Sequence, residues 1–256
     1  MLPSSLPTPT LVVGDVHLGV APADAERRLR ELLWSRPHGA RSIVIMGDLF
    51  DFWFAWRHVM PRTGFRTLAT LAALHDEGIP VLWIGGNHDC WGGDALRAET
   101  GAHYTLEPWR GRIGGWDALL AHGDGLRKVE DAPYRRLRTL LRHPLAIRAY
   151  SWLHPNWATD LAMASSKTSR KGRAIDGGRG LFEVARGDLS GESGPSLVLH
   201  GHSHVPTLQG LGRGAYGNAG AWYLDQQYLV IEDDAVTHWQ ATVDTPTLLE
   251  RVVRPI

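Results

Sequence analysis

Short apolar, β-branched runs recur along the chain at residues 10–13, 42–46, 81–84, 118–121 and 196–199, each closed by glycine and polar residues. Runs of that length and near-continuous apolarity are those of strands buried on both faces. Between the first three lie stretches with helical spacing of apolar positions, 23–34 and 66–77. Strand, helix, strand, helix, strand in that order predicts a layered α/β core. From 205 to 240 the pattern shortens to strands with glycine turns, such as 227–231 and 236–240, which predicts an antiparallel sheet completing that core.

Residues 126–180 break the pattern. Helical spacing over 134–142, 145–153 and 159–165 is punctuated by Pro133, Pro144 and Pro155, and the segment lies between two core strands. The expectation is an inserted helical cap, 126–180, on a core built from 1–125 and 181–256. The cap also changes the charge picture. The chain as a whole balances 27 Lys+Arg against 27 Asp+Glu, which argues against nucleic acid or another polyanion as a general partner. Residues 126–180 alone carry 12 Lys+Arg against 4 Asp+Glu, which points to anion contact at the cap.

Composition narrows the setting. A content of 43% hydrophobic residues with 11 Trp excludes chain-wide disorder, and Cys90, the single cysteine, excludes an internal disulfide. The opening MLPSSLPTPT lacks the basic flank and apolar stretch of a secretory signal, and no run reaches the ~18 to 20 apolar residues of a membrane-spanning helix. A cytoplasmic protein is expected, with any contact to the inner membrane peripheral and through the cap.

The chemistry sits at the ends of the predicted strands. Asp15 and His17 stand in GDVHLG, Asp48 in GDLFDFW, Asn87, His88 and Asp89 in GNHD, His122 in HGD, and His200, His202 and His204 in HGHSH. One such fragment means little, but five in order, each after an apolar run, place metal-type ligands on the edge where α/β sheets build their sites. If these segments are extended, residues i and i+2 project together, so Asp15 pairs with His17 and His202 with His204; His200 shares that spacing and complicates the choice. Carboxylate, imidazole and amide oxygen without thiolate suit Mn²⁺, Fe²⁺, Zn²⁺ or Co²⁺. Seven ligands exceed the need of one tetrahedral ion and fit two, bridged by a carboxylate for which Asp48 is the natural candidate. Such a pair acidifies water and clamps phosphoryl oxygens, the chemistry of phosphoester or phosphoanhydride hydrolysis.

The ordered set GDVH, GDLFD, GNHD, HGD and GHSH resembles the calcineurin-like metallophosphoesterase superfamily. The resemblance implies a four-layer β-sandwich flanked by helices. It puts Asp15, His17 and His204 on one ion, Asn87, His122 and His202 on the other, and Asp48 between them, with His200 left behind the ligands. It implies that His88 contacts the substrate phosphate and protonates the leaving group, and that Asp89 orients His88. Asn87 and His202 then face the phosphate as well. Asp51 and Asp124 are expected to hydrogen-bond a ligand or backbone from behind.

Within that superfamily GDLFDFW, the insertion after HGD and the late GNAGAW resemble UDP-2,3-diacylglucosamine hydrolases of lipid A synthesis, which implies a Mn²⁺-dependent cleavage of a nucleotide-sugar lipid. Asp131, Ser166, Lys167, Arg170 and Arg173 match cap positions expected to touch substrate. GNHD stands where the well-known branch carries GNRD, so His88 replaces an arginine. A phosphoanhydride expels a stabilised phosphate and needs little protonation, whereas an ester expels an alkoxide and benefits from an acid, so His88 permits either class. Two other readings stand beside this one: a phosphoesterase acting on another phosphodiester, nucleotide or phosphomonoester, and a metal-free scaffold of the same fold.

Overall fold

In the computed structural model of the chain the residues described are 1–170, 176–191, 193–242 and 245–255, with 165–170 described for their backbone alone. Among the described residues thirteen strands form two sheets. The first sheet orders β1 (Ser5–Leu6), β6 (Trp109–Ile113), β7 (Trp116–Ala121), β8 (Leu197–His200), β10 (Gly214–Asn218) and β9 (Thr207–Leu211). The second orders β13 (Thr247–Val253), β12 (Ala235–Gln240), β11 (Gln227–Ile231), β2 (Thr10–Val13), β3 (Ser42–Ile45), β4 (Val81–Ile84) and β5 (His103–Thr105). Strands β2 to β5 run parallel, as do β7 and β8, so their carboxyl ends converge on one edge.

Strand alternation sorts the side chains into layers. Val12, Val44 and Leu82 point between the sheets, where they meet Leu120, Leu197 and Leu199. Their neighbours Leu11, Ile43 and Trp83 point outward into a cluster with α1 (Ala23–Ser35), α2 (Phe65–Asp76) and α3 (Gly93–Thr100). On the far side Leu119 and Val198 meet Ala185 and Leu189 of α7 (Arg179–Leu189). The result is helix, sheet, sheet, helix: the four-layer α/β sandwich that the motifs implied. Apolar runs read as buried on both faces because both faces of both sheets are covered. Much of the tryptophan goes here: Trp53, Trp83, Trp116 and Trp222 are fully buried, and the Trp116 and Trp222 indoles donate to Glu232 O and Ala25 O.

The antiparallel pairing expected over 205–240 completes the core, but divided between the two sheets rather than as one. Strand β10 pairs parallel with β8 and antiparallel with β9, completing the first sheet, whereas β11 pairs antiparallel with β2 and carries β12 and β13 into the second. One edge of each sheet is thereby built by the carboxyl-terminal segment, while β1 and β5 form the opposite edges.

The inserted helices are α4 (Ala132–Leu141), α5 (Pro144–Tyr150) and α6 (Pro155–Arg170), with proline in the first turn of each. Helix α4 docks by its basic face. Arg135 donates to Arg127 O and Lys128 O, Arg138 to Asp124 O, and Arg142 to Asp124 Oδ2, at 2.6, 2.6, 2.9 and 3.2 Å. Its leucines face outward instead, Leu137 and Leu140 being 50% and 62% exposed. Much of the positive surplus expected to meet an anion therefore binds the protein's own oxygens. Guanidinium forks satisfy loop carbonyls that strand and helix bonding leaves over.

Candidate metal centre

Every motif lies just past a strand end: Asp15 and His17 after β2, Asp48 after β3, Asn87 and His88 after β4, His122 after β7, and His202 and His204 after β8. Three sets of donor atoms come within 4.8 Å of one another: Asp15, His17 and His204; Asp48, His122 and His202; and His17, Asp48 and His88. Asp48 Oδ2 lies 3.3 Å from His122 Nε2 and 3.8 Å from His17 Nε2, so one carboxylate faces ligands of both outer sets. Asp15 Oδ1 is 3.3 Å from His204 Nε2. Asp15, His17 and Asp48 are completely buried.

The local backbone is not the extended one that the i, i+2 argument assumed. Asp15, His17, Asp48, His202 and His204 all have left-handed φ, between 48° and 64°. His17 still joins Asp15, but His202 and His204 part, one toward Asp48 and one toward Asp15. Such conformations cost about 1–3 kcal/mol each and persist where surrounding bonds over-determine them. Here Asp15 N donates to Gly47 O, and Val16 N and His17 N both donate to Asp48 O, at 3.0, 2.9 and 2.9 Å, lacing two ligand loops together. Close approach explains the glycines: a Cβ on Gly86 would lie 2.2 Å from Asp48 Oδ1, and one on Gly47 would lie 2.3 Å from His122 Nδ1.

The histidines are aimed through their outer nitrogens. Nδ1 of His122 lies 2.7 Å from Met46 O and that of His88 2.7 Å from Asp51 O. A carbonyl only accepts, so both Nδ1 atoms carry hydrogen and both Nε2 atoms face the cluster. His17 Nδ1 meets the Asp51 carboxylate at 3.2 Å, which leaves its Nε2 3.2 Å from His204 Nε2. Asp51 thus orients two histidines, one by its carboxylate and one by its backbone.

The orienting role expected of Asp89 goes elsewhere. Its carboxylate accepts from Gly86 N at 2.7 Å and Leu49 N at 2.9 Å, which ties the loops after β3 and β4 together. Burial, with the nearby Asp48 charge, pushes its carboxyl up to about 7. Asp124 reaches the insertion rather than a ligand: its Oδ2 accepts from Tyr134 Oη at 2.8 Å and Arg142 Nη2 at 3.2 Å. Asp131, expected to touch substrate, is 3% exposed and held by Arg127, whose Nη2 and backbone N lie 2.7 and 2.9 Å from its two oxygens. Arg127 also reaches Asp176 at 3.2 Å, so this network joins the starts of α4 and α7. His200 sits edge-on to Tyr216, away from the clusters, and burial followed by the His122 charge holds its imidazole down at about 4. Arg173 and the side chains of Ser166, Lys167 and Arg170 lie outside the described residues.

The donor set fits divalent cations. Asn87 Oδ1 is buried with no hydrogen-bond partner among the described residues, an acceptor whose desolvation is otherwise uncompensated. For His122, burial alone would lower the pKa, yet the Asp48 and Asp15 carboxylates outweigh it and raise it to about 10. Asp15 is pushed up by burial and pulled further down by His204 and His122. The pocket is built to hold positive charge among carboxylates.

The sequence matches the family model for calcineurin-like phosphoesterases over residues 8–206, well over half its length. The chain belongs to that family. Among curated relatives of this phosphoesterase is a UDP-2,3-diacylglucosamine hydrolase from Porphyromonas gingivalis, 39% identical over 61% of this chain; the match spans 62% of that relative. Another, from Stenotrophomonas maltophilia, is 28% identical over 88% of this chain and 95% of its own. Among solved structures, vacuolar protein sorting 29 from Cryptosporidium parvum overlays with a TM-score of 0.47 at 11% identity, over 96% of this phosphoesterase and 97% of its own chain.

Sequence reasoning missed Met46, whose carbonyl aims His122, and Arg127, which occupies Asp131. A backbone carbonyl leaves no signal in residue type. The Arg127–Asp131 spacing of four was such a signal, readable as a local ion pair.

Proposed function

We propose that this phosphoesterase hydrolyses the pyrophosphate of UDP-2,3-diacylglucosamine to UMP and 2,3-diacylglucosamine 1-phosphate. The observation that carries the reading is an apolar cavity of about 280 Å³ beside the metal centre, between Phe52 and Phe54 of the core and Ile147, Tyr150 and Leu161 of the insertion. Phe52 directly follows Asp51, whose carbonyl aims His88, so an acyl chain in the cavity presents its head group to the clustered ligands. A purely polar nucleotide or phosphoprotein has no use for such a wall. The names of the curated relatives support the same substrate.

In this reading Asp15, His17 and His204 hold one divalent ion and Asn87, His122 and His202 the other, with Asp48 shared. Bound there, the ions, Mn²⁺ by preference, supply an acidified water and neutralise phosphoryl charge. The chain's own groups do the positioning. Met46 O and Asp51 keep the imidazoles aimed, and the buried walls exclude bulk water. His88 Nε2, 3.9 Å from Asp48 Oδ2, faces the same space, where it contacts the phosphate and meets the departing oxygen. Water's oxygen bonds to phosphorus as the phosphorus–oxygen bond to the leaving phosphate breaks.

The insertion, 126–180, acts as the cap over a core of 1–125 and 181–256. No helix among the described residues is long and apolar enough to cross a membrane. The cap nevertheless exposes Leu140, Leu145, Trp152 and Trp157 at 62%, 69%, 81% and 75%, an outward apolar face suited to peripheral contact with the inner membrane that carries an acylated substrate.

The test is a Mn²⁺-supplemented assay offering UDP-2,3-diacylglucosamine beside UDP-N-acetylglucosamine and bis-p-nitrophenyl phosphate, with products identified. Release of UMP and the acylated sugar phosphate, with the unacylated nucleotide sugar poorly cleaved, is the expected result. Rapid cleavage of the simple diester with the acylated substrate untouched would keep the metal centre and overturn the substrate.

A further inference from the structure

The apolar cavity has a neighbour. Beside the loop after β4 lies a wider, more open groove of about 590 Å³, lined in part by Asp94, Arg97 and Glu107 and therefore of mixed character where the first cavity is almost wholly apolar. Trp91 and Ile147 line both. Trp91 comes from the loop that carries Asn87 and His88, and Ile147 from α5, so the boundary is made where core and insertion meet.

Trp91 is fixed in this place by three contacts. Its indole nitrogen donates to Leu141 O, the last carbonyl of α4, at 3.0 Å. Such a carbonyl has no partner inside its own helix, so the indole supplies one. Its backbone bridges to Phe54, and its ring lies 5.8 Å from that of Phe52. A large, rigid ring tethered at its polar end and packed at its apolar side makes a stop, since it cannot swing aside without breaking the Leu141 bond.

We infer that Trp91, with Ile147 opposite, is the end wall of the acyl cavity and sets the length of chain this enzyme prefers. The inference rests on the substrate reading above. At about 30 Å³ for a group the size of water or a methylene, 280 Å³ takes on the order of ten chain carbons. Carbons beyond the wall would enter the more open groove beside Asp94 and Arg97, where a methylene stays partly in water and gains less. Inside the cavity each methylene is worth about a fourfold gain in binding. The wall therefore turns a gradual hydrophobic preference into a cut-off.

The experiment measures kcat/KM of the metal-loaded full-length enzyme on a series of UDP-diacylglucosamines differing only in acyl length, for wild type, Trp91→Ala and Ile147→Trp, with thermal melts to confirm that each is folded. Trp91→Ala joins cavity to groove and should move the optimum to longer chains, raising the long-to-short ratio about tenfold. Ile147→Trp narrows the passage from the other element and should move the optimum to shorter ones. General damage cannot produce opposite shifts. Parallel length profiles in all three proteins, at whatever absolute rate, would overturn the inference and leave the substrate reading standing. No turnover of any member by wild type would overturn both.

Discussion

Asp51 Oδ1 lies 3.2 Å from Nδ1 of His17, and neither side chain has any exposure to solvent. The contact selects the nitrogen that His17 offers to the centre and fixes the orientation of its ring. Partners of this kind are worth 10- to 100-fold in metal affinity. Asp51→Ala should therefore bind Mn²⁺ 10- to 100-fold more weakly while keeping the wild-type fold. Metal titration followed by calorimetry, with circular dichroism beside it, reads this directly, and unchanged affinity would remove Asp51 from the site.

His88 is anchored at Nδ1 by the Asp51 carbonyl at 2.7 Å, and its Nε2 lies 3.9 Å from Asp48 Oδ2. His88→Ala should retain its metal content. It should slow an ester with an alkoxide leaving group by about 10²-fold or more, and a phosphoanhydride much less. Equal slowing of both classes would limit His88 to binding phosphate as a cation.

Asp124 binds the insertion to the core through Tyr134, Arg142 and, at 3.6 Å, Arg138. It is 8% exposed, so Asp124→Ala takes the acceptor from the Tyr134 hydroxyl and from the partly exposed Arg142 guanidinium. Losing a charge-assisted hydrogen bond of this kind costs about 2 kcal/mol. Urea unfolding should show a loss of that order, and adding Arg142→Ala should cost less than the sum of the two single changes. Full additivity would show that the residues do not act through one another.

His238 gives the fold an acid limit independent of the metal centre. It is 5% exposed on β12, across from Glu250 of β13, and burial holds its imidazole down at about 4 against the partial opposition of Glu250. The unfolded chain binds a proton below about pH 6.5, which the folded chain refuses until about 4. Stability should therefore fall as pH drops through that window, by up to about 1.4 kcal/mol per pH unit, and be indifferent to this group above it. In His238→Leu the slope should flatten; an unchanged slope would place the acid sensitivity elsewhere.

The strands that carry the ligands were legible because burial on both faces writes a continuous apolar run, and the ligands were legible because each follows such a run. Less legible was β6, where Trp109 and Ile113 are buried but Arg110 and Arg112 face outward, an alternation too short to separate from loop. Strand β13 is almost wholly exposed and leaves no burial pattern to read. The site's backbone was hidden as well, because a left-handed Asp or His looks like any other in sequence. Helix α4 differs from expectation for a physical reason: charge read as available to an anion faces the protein's own oxygens, while Leu137 and Leu140 face out.

The two sheets contribute to the centre unequally but jointly, with Asp15, His17, Asp48 and Asn87 hung from one and His122, His202 and His204 from the other. Ions held by these residues would fasten the two sheets to each other like rivets through the sandwich. The space between the sheets is filled by Val12, Val44, Leu120 and Leu199, none of which belongs to the candidate site. Trimming one of them would let the layers settle and shift the candidate ligands of one sheet against those of the other. Distant aliphatic substitutions should then alter metal retention before they unfold the protein, which makes the interior filling of this enzyme a tuning element for its chemistry.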